Sequence, residues 1–186
     1  MPEAAEAGAA AEAGDAVMAL AEAGMAASEK AGLGKKAPIE IFDPTTVILP
    51  ARKYDAIFSR LVLLLVQDKK RLIGQIHQAL KSEGQLMFLE FTLSKKGANS
   101  PALSAWIAGE DHPPLPVTIA DYSAELKALK MDIRVAEDMT AGFRGLVLQG
   151  WAKLARELKA NTLGDEDAKA LIHEVELWSR RVAAFD

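Results

Sequence analysis

The stretch that decides the fold is YDAIFSRLVLLLVQDKKRLIGQIHQALKSEGQLMFLEF, residues 54–91. It opens with a strand-like run from Tyr54 to Ser59, and a nearly continuous apolar run extends from Gln85 to Leu93. Between the two runs we predict a helix with Asp68 as its N-cap, since its apolar residues recur at helical spacing: Leu72, Ile73, Ile76 and Leu80. A strand, a helix and a second buried strand in this order predict a parallel strand pair.

The flanking sequence extends this pattern. A helix is predicted from about Asp15 to Lys30 with Gly32 as its cap, followed by a short strand from Ile39 to Phe42. Period-two alternation predicts an outer strand in MDIRVAEDM, residues 131–139, and helical spacing predicts helices around residues 102–107, 119–130, 141–160 and 164–185.

These elements predict an α/β fold with an incomplete Rossmann-like sheet, mainly parallel, with helices on both faces and a C-terminal helical pair. We divide the chain into an Ala- and Glu-rich N-terminal arm and helix, residues 1–30, and an α/β domain, residues 31–186.

Composition excludes several classes of function. The net charge of −4 gives no electrostatic reason to expect a nucleic-acid partner, and no apolar run approaches the ~20 residues that span a bilayer. The absence of Cys and the three scattered His residues argue against a metal site. Since the N-terminus also lacks a basic signal region, we expect a cytoplasmic protein without membrane or nucleic-acid partners.

Ligands of parallel sheets bind beyond the carboxyl ends of the strands. That rule selects Asp43 after the first predicted strand, Ser59 and Arg60 after the second, and Glu90 near the end of the third. Each has a purely structural alternative: Asp43 could be a turn acid, Arg60 could pair with Asp55, and Glu90 could neutralise a basic group.

At these places the sequence resembles the class I S-adenosylmethionine-dependent methyltransferases. The resemblance runs from about Ala31 to Phe143 and rests on the order of AGL, a strand ending in Asp, LP, YDAIFSRLVLLLV, DK, a helix and LKSEGQLMFLEF. It is most similar to the small-molecule branch that includes phosphoethanolamine and sarcosine-type enzymes, and VAEDMTAGF resembles the VEDRT strand of that branch.

The resemblance implies roles for particular residues. Asp43 would contact the adenine of S-adenosylmethionine, while Ser59 and Arg60 would line its methionine side and the substrate. Leu61, Leu65 and Glu90 would border the substrate cleft that receives a small-molecule methyl acceptor. No catalytic residue and no metal ligand are assigned.

Departures from the family pattern fall at the site itself. No acid-x-Gly-x-Gly loop follows a strand, because Gly32-Leu33-Gly34 follows a helix. Leu61 and Leu65 stand where the pattern often has Asp and His, and Glu90-Phe91 stands where it often has Asp-Tyr. The resemblance therefore describes a truncated member without the glycine-rich first motif, whose activity would suffer from the loss of the cofactor loop.

Two hypotheses follow, with a third beside them. The first is a methyltransferase-like protein acting on a small molecule. The second is a non-catalytic interaction or dimerisation module, in which an open sheet edge or the two C-terminal helices form a homodimer or recruit a partner. The third is a gene fragment with no independent role.

Overall fold

The computed structural model describes residues 21–94, 99–160 and 164–185. The chain divides into two compact units, Met1–Val47 and Ile48–Asp186. In the first unit, helix α1 covers residues 21–30, and the part of the predicted helix before residue 21 lies outside the described residues. Gly32 has a left-handed φ of +70°, and the N–H groups of Gly32 and Leu33 bond back to the carbonyls of Glu29 and Ser28. This is the bonding pattern of a glycine C-cap, as the sequence predicted.

The predicted strand from Ile39 to Phe42 is wrong. Residues 37–43 have no regular secondary structure, and Ile39, Ile41 and Phe42 are exposed. The alternating apolar pattern reports strand propensity, whereas a strand also needs a neighbouring backbone to pair with. Within this unit, the described residues contain no other strand that could supply that neighbour.

The second unit begins with the predicted strand–helix–strand arrangement. Strand β1 covers Tyr54–Arg60, helix α2 covers Lys69–Ala79, and strand β2 covers Leu80–Leu89. The strands are parallel, in a register that pairs Ile57 with Leu86 and Arg60 with Leu89. Asp68 caps α2 as predicted, because its carboxylate accepts a hydrogen bond from the Arg71 N–H at 2.9 Å.

Strand β2 is displaced from its predicted bounds. It starts directly after α2, where Tyr54 pairs with Leu80, and a register shift then separates this pair from the regular ladder. It stops at Leu89, and Leu93 forms only an isolated bridge with Thr118. Glu83 has a left-handed φ of +65°, which marks an irregularity inside the strand.

The apolar run after β1 forms part of the core. Residues Leu63–Leu65 make one 3-10 turn, and Leu63 and Val66 are almost completely buried. The buried residues of this part of the core come from the turn segment, from α2 and from the start of β2: Leu63, Leu64, Val66, Leu72, Ile73, Ile76, Ala79 and Leu80. The helical stripe predicted for α2 is thus its buried face.

The remaining helices follow in chain order. They are α3, Pro101–Gly109; α4, Ile119–Ala128; α5, Thr140–Ala160; and α6, Asp165–Ala183. Helices α3 and α6 pack against each other, and Tyr122 of α4 lies against Phe88 of β2 with ring centroids 5.2 Å apart. The structure is therefore a mixed α/β fold with a short parallel sheet, which confirms the predicted class.

The predicted outer strand at residues 131–139 is also wrong. This segment has neither helix nor strand pairing, although exposure alternates from Met131 to Arg134 as in an extended chain. The alternating pattern again reports strand propensity, but it cannot provide a paired neighbour.

Candidate functional site

The carboxyl ends of β1 and β2 lie side by side. Ser59 pairs with Phe88 and Arg60 with Leu89, so Glu90 follows β2 at the same edge where Arg60 ends β1. Ser59 is half-buried and Arg60 is exposed. The structure thus brings together Ser59, Arg60 and Glu90, three of the predicted site residues.

Glu90 organises the segment that follows β1. Its carboxylate accepts hydrogen bonds from the backbone N–H groups of Val62, Leu63 and Leu64 at 3.1, 3.0 and 3.2 Å. Burial raises the pKa of Glu90, while the three backbone hydrogen bonds and the charge of Lys69 oppose that shift. Burial in turn lowers the pKa of Lys69. Glu90 is therefore an anchor for the 3-10 turn, and a contact with substrate stays a prediction.

Leu61 and Leu65 border this anchored turn. Leu61 has a left-handed φ of +56°, and its N–H donates to the carbonyl of Leu89 at 2.9 Å. Its side chain packs against a small core cluster that includes Leu64 and Trp106, whereas Leu65 is exposed. Asp and Asn adopt left-handed backbone more readily than Leu does, so the Asp of the family pattern suits this position's backbone.

The Asp43 carboxylate makes local turn contacts. It accepts hydrogen bonds from the N–H and hydroxyl of Thr45 and from the hydroxyl of Thr46, at 2.7–2.8 Å. These contacts agree with the turn-acid interpretation, and the adenine-binding role stays a prediction. Asp43 lies in the first unit, whereas the other predicted site residues lie in the second.

The alternative partner suggested for Arg60 is wrong. Asp55 pairs with Lys81, whose Nζ lies 2.8 Å from the carboxylate. Within the described parts of the chain, the guanidinium of Arg60 has no hydrogen bond or ion pair. A cationic, exposed group therefore stands at the carboxyl end of β1.

Helical spacing aligns Tyr122 with Leu126 in the helix predicted around residues 119–130, but it cannot reveal the state of the tyrosine hydroxyl. The side chain is 4% exposed, and among the described residues its hydroxyl oxygen has no hydrogen-bond partner. Burial, with a smaller effect of the Glu90 charge, raises its pKa strongly. Helical spacing predicts which side chains of a helix are buried. Whether a buried hydroxyl finds a hydrogen-bond partner depends on residues that are distant in the sequence.

The sequence also does not predict a cluster of aromatic side chains that forms beyond the end of β2. The Phe91 ring contacts those of Trp106, Phe143 and Phe185, with centroids 5.2–5.6 Å apart. Phe143 lies in the helix predicted around residues 141–160, but nothing in the sequence pattern joins it to Phe91. Phe91, Phe143 and Phe185 line a cavity of about 1590 Å³ that also runs along β2.

Comparison with known proteins supports this fold. Residues 4–88 match the sequence profile of a family described as "Methyltransferase domain", a range that includes β1, α2 and nearly all of β2. Among solved structures, the chain is similar to the [4+2]-cyclase SpnF, with a TM-score of 0.53 and 20% identity over 63% of this chain. That match spans 40% of the cyclase chain. No curated protein matches the sequence.

These similarities show a methyltransferase-like fold. At 20% identity the likeness to the cyclase concerns the fold alone, and the profile match covers somewhat less than half of the chain. The branch of phosphoethanolamine and sarcosine-type enzymes stays a prediction.

S-adenosylmethionine is the cofactor that such a fold implies, and the described residues fit one end of it. Arg60 offers an exposed guanidinium at the carboxyl end of β1, which suits the carboxylate of the methionine half. Ser59 precedes it on the strand, so its side chain lies on the opposite face of the sheet, and its contact with the cofactor stays a prediction. Gly32 and Gly34 do not supply a cradle for the nucleoside, since Gly32 belongs to the C-cap of α1 and a Cβ on Gly34 would contact Glu29. Within residues 21–94, no glycine-rich loop follows a strand.

Among the described residues, no helix is both long and apolar enough to cross a membrane.

Proposed function

We propose that this chain is an S-adenosylmethionine-dependent methyltransferase-like protein that acts on a small molecule. The observation that carries the proposal is the family match over residues 4–88, which covers the β1–α2–β2 unit. The exposed Arg60 at the carboxyl end of β1 supports it, because that edge is where ligands of parallel sheets bind.

When bound, the cofactor supplies a methyl group activated by its sulfonium, and the protein mainly positions the reactants. In this proposal Arg60 holds the methionine carboxylate. Glu90 keeps residues 62–64 in place through its three hydrogen bonds, which fixes the chain that follows Arg60. In the same proposal, Leu61 and Leu65 border the side of the small-molecule acceptor.

Because only one end of the cofactor finds a suitable partner among the described residues, we expect weak binding. Isothermal titration with S-adenosylmethionine tests this directly. Arg60→Ala removes a charge-assisted hydrogen bond, so about a tenfold loss of affinity is expected. Lys70→Ala is the matched control, because Lys70 is an exposed cation on α2 and its loss should leave affinity unchanged.

The absence of heat with unmodified protein at high micromolar cofactor would remove the methyltransferase proposal and favour the non-catalytic interaction module. If the cofactor binds, its consumption in the presence of phosphoethanolamine or sarcosine tests the acceptor class. An equal loss of affinity in Arg60→Ala and Lys70→Ala would contradict the role of Arg60.

A further inference from the structure

Aromatic rings from three separate parts of the chain meet just beyond the end of β2. The Phe91 ring lies 5.5 Å from that of Phe143, near the start of α5, and 5.2 Å from that of Phe185, after α6, measured between ring centroids. Phe143 and Phe185 also contact each other, at 5.8 Å. All three side chains are half-buried, and all three line the cavity that runs along β2. We call these three residues the aromatic wall.

The aromatic wall adjoins the carboxyl ends of the two strands. Phe91 directly follows Glu90, and Leu61 directly follows Arg60 at the end of β1. Leu61 and Phe91 pack against one buried cluster, whose members are Leu64, Leu103 and Trp106. Leu61 and Glu90 also line the cavity. The wall therefore lies next to the strand edge at which the proposed cofactor binds, which is where a methyl acceptor has to be held.

The charged groups beside the wall already have partners. Both carboxylate oxygens of Glu90 accept hydrogen bonds from the backbone N–H groups of residues 62–64. Arg181, one helical turn before Phe185, bonds to the carboxylate of Glu110. A ligand on the wall would therefore compete with existing bonds if it carried a charge of its own.

The other cations that line the cavity lie away from the wall or are paired. They are Arg52, His77, Lys81, Lys130 and Arg134. The first three adjoin the amino ends of β1 and β2, opposite to the wall. Arg134 pairs with Asp132 at 3.7 Å. The bridge between Leu93 and Thr118 brings the start of α4 close to the wall, whereas Lys130 follows the far end of that helix.

A charged acceptor would need an opposite charge at the wall. Phosphoethanolamine and sarcosine each carry an anionic group, for which a guanidinium or an ammonium is the usual partner. Arg60 is exposed, but it is not among the described residues that line the cavity, and in the proposed function it holds the cofactor. The surroundings of the wall therefore favour a neutral acceptor.

The arrangement of the rings favours an aromatic ligand over an aliphatic one of the same size. Aromatic rings attract one another by offset stacking and by edge-to-face contact, in addition to the apolar area that they bury. The rings of the wall are tilted by 43–72° to one another, so a planar ligand can meet the face of one and the edge of another. Residues 1–20, 95–98, 161–163 and 186 contain no Phe, Tyr or Trp, so they cannot add a further ring.

We propose that the aromatic wall binds a neutral small molecule with an aromatic ring, and that this molecule is the methyl acceptor. The acceptor role rests on the proposed function, because it needs the cofactor at the strand edge beside Leu61. Phe91 stands where the family pattern often has Tyr, so this position offers a ring without a hydrogen-bonding hydroxyl. The acceptor thus differs from the phosphoethanolamine and sarcosine types.

Isothermal titration of the full chain, without cofactor, tests the wall. The probe is 2-naphthol, and decahydro-2-naphthol is its saturated counterpart with the same carbon skeleton and hydroxyl but no aromatic ring. We expect 2-naphthol to bind about fivefold more tightly or better, because only this ligand gains ring–ring contacts. Equal affinities, or no binding of 2-naphthol to the full chain, would overturn the proposal.

A charged probe tests the preference for a neutral ligand. 2-Naphthoate keeps the rings of 2-naphthol but carries a carboxylate in place of the hydroxyl. Because a carboxylate loses its hydration at the wall without gaining a cation, we expect its affinity to be about fivefold lower or less than that of 2-naphthol. Equal or tighter binding of 2-naphthoate would overturn the neutral class.

Substitutions of single rings locate the site. Phe143→Leu and Phe185→Leu keep an apolar side chain, so each should weaken 2-naphthol binding about fivefold and change decahydro-2-naphthol binding little. Phe42→Leu is the matched control, because its ring is exposed in the first unit and is not part of the cavity lining. A ring that matters only for packing would affect both ligands alike, and that result would overturn the proposal. Urea denaturation checks that each variant folds, and the ligand comparison on the unmodified chain does not depend on the variants.

The result is separable from that of the proposed function. The titration with S-adenosylmethionine measures cofactor binding and involves no naphthol. Cofactor binding without 2-naphthol binding would overturn the aromatic wall as a site and leave the proposed function standing. Binding of 2-naphthol without cofactor binding would overturn the acceptor role, together with the proposed function, and support the wall as an aromatic binding site.

Discussion

The guanidinium of Arg181, near the end of α6, donates two hydrogen bonds to the carboxylate of Glu110, the residue that follows α3. Nε lies 2.5 Å from Oε1 and Nη2 lies 2.6 Å from Oε2, and both side chains are largely buried. The Trp106 indole N–H donates to the same carboxylate at 2.6 Å. The pair joins the ends of two helices separated by 71 positions in the sequence.

Removing one member of this pair should destabilise the chain. Glu110→Ala leaves a largely buried guanidinium without its main hydrogen-bond partner, so we expect a loss of about 1.5–3 kcal/mol in the free energy of unfolding. Asp55→Ala breaks the exposed pair with Lys81 and should cost less than about 1 kcal/mol. Urea denaturation measures both, and similar losses would contradict a special role for the buried pair.

The same pair predicts a pH dependence. Hydrogen bonding from Arg181 lowers the pKa of Glu110 in the folded protein. The stability that it contributes is therefore fully present above the unfolded pKa of about 4.3 and is lost as the pH falls through the lower folded value. Urea titrations from pH 6 down to pH 3 should show a steeper loss for the unmodified chain than for Glu110→Gln. Parallel curves would contradict the prediction.

Glu90 should show the opposite pH dependence. Burial raises its pKa in the folded state, so its contribution is greatest below the unfolded pKa and is lost as the pH rises through the folded value. In Glu90→Gln the free energy of unfolding should no longer fall as the pH rises through that folded value, because the amide does not titrate. Glu90→Ala leaves three backbone donors without a carboxylate, and we expect a loss of about 2–5 kcal/mol at neutral pH. A loss below about 1 kcal/mol would mean that water replaces the carboxylate.

Tyr122 carries a buried hydroxyl without a partner among the described residues. Tyr122→Phe removes that polar atom and keeps the ring against Phe88, so thermal unfolding should show unchanged or slightly raised stability, by up to about 1 kcal/mol. Tyr54→Phe, at a half-buried position at the start of β1, is the control with no expected change. A clear loss in Tyr122→Phe would show that the hydroxyl is satisfied in solution.

Leu61 offers a test of backbone conformation against packing. Asn tolerates its left-handed backbone better than Leu does but loses apolar contact, so Leu61→Asn should change stability by no more than about 1 kcal/mol. Leu61→Val stays apolar but is β-branched, which is strongly disfavoured at positive φ. Chemical denaturation should therefore give a lower free energy of unfolding for Leu61→Val than for Leu61→Asn. The reverse order would indicate that apolar packing outweighs the backbone conformation.

Local signals in the sequence located most of the helices. Asp68 before α2 and the apolar stripe from Leu72 to Ile76 depend only on neighbours within a few residues, and the structure confirms both. The cap at Gly32 is equally local. Such features are readable because the hydrogen bonds that define them join nearby positions.

The strands were harder to predict because their partners are remote. Residues 37–43 and 131–139 have strand-like alternation but no backbone partner among the described residues, so the pattern alone overpredicted strands. At the site, the predicted strand ends correctly placed Ser59, Arg60 and Glu90 at one edge of the sheet. It could not reveal that Glu90 would bond to the backbone of residues 62–64, since that contact depends on tertiary packing.

The parallel pair also bears on how the chain folds. Residues paired between β1 and β2, such as Ile57 and Leu86, lie about 30 positions apart, and the 11 residues of α2 form part of that interval. The entropy of closing such a loop grows only slowly with its length, and a helix that forms early shortens the remaining search. We therefore expect β1, α2 and β2 to form an early folding nucleus, onto which the later helices assemble.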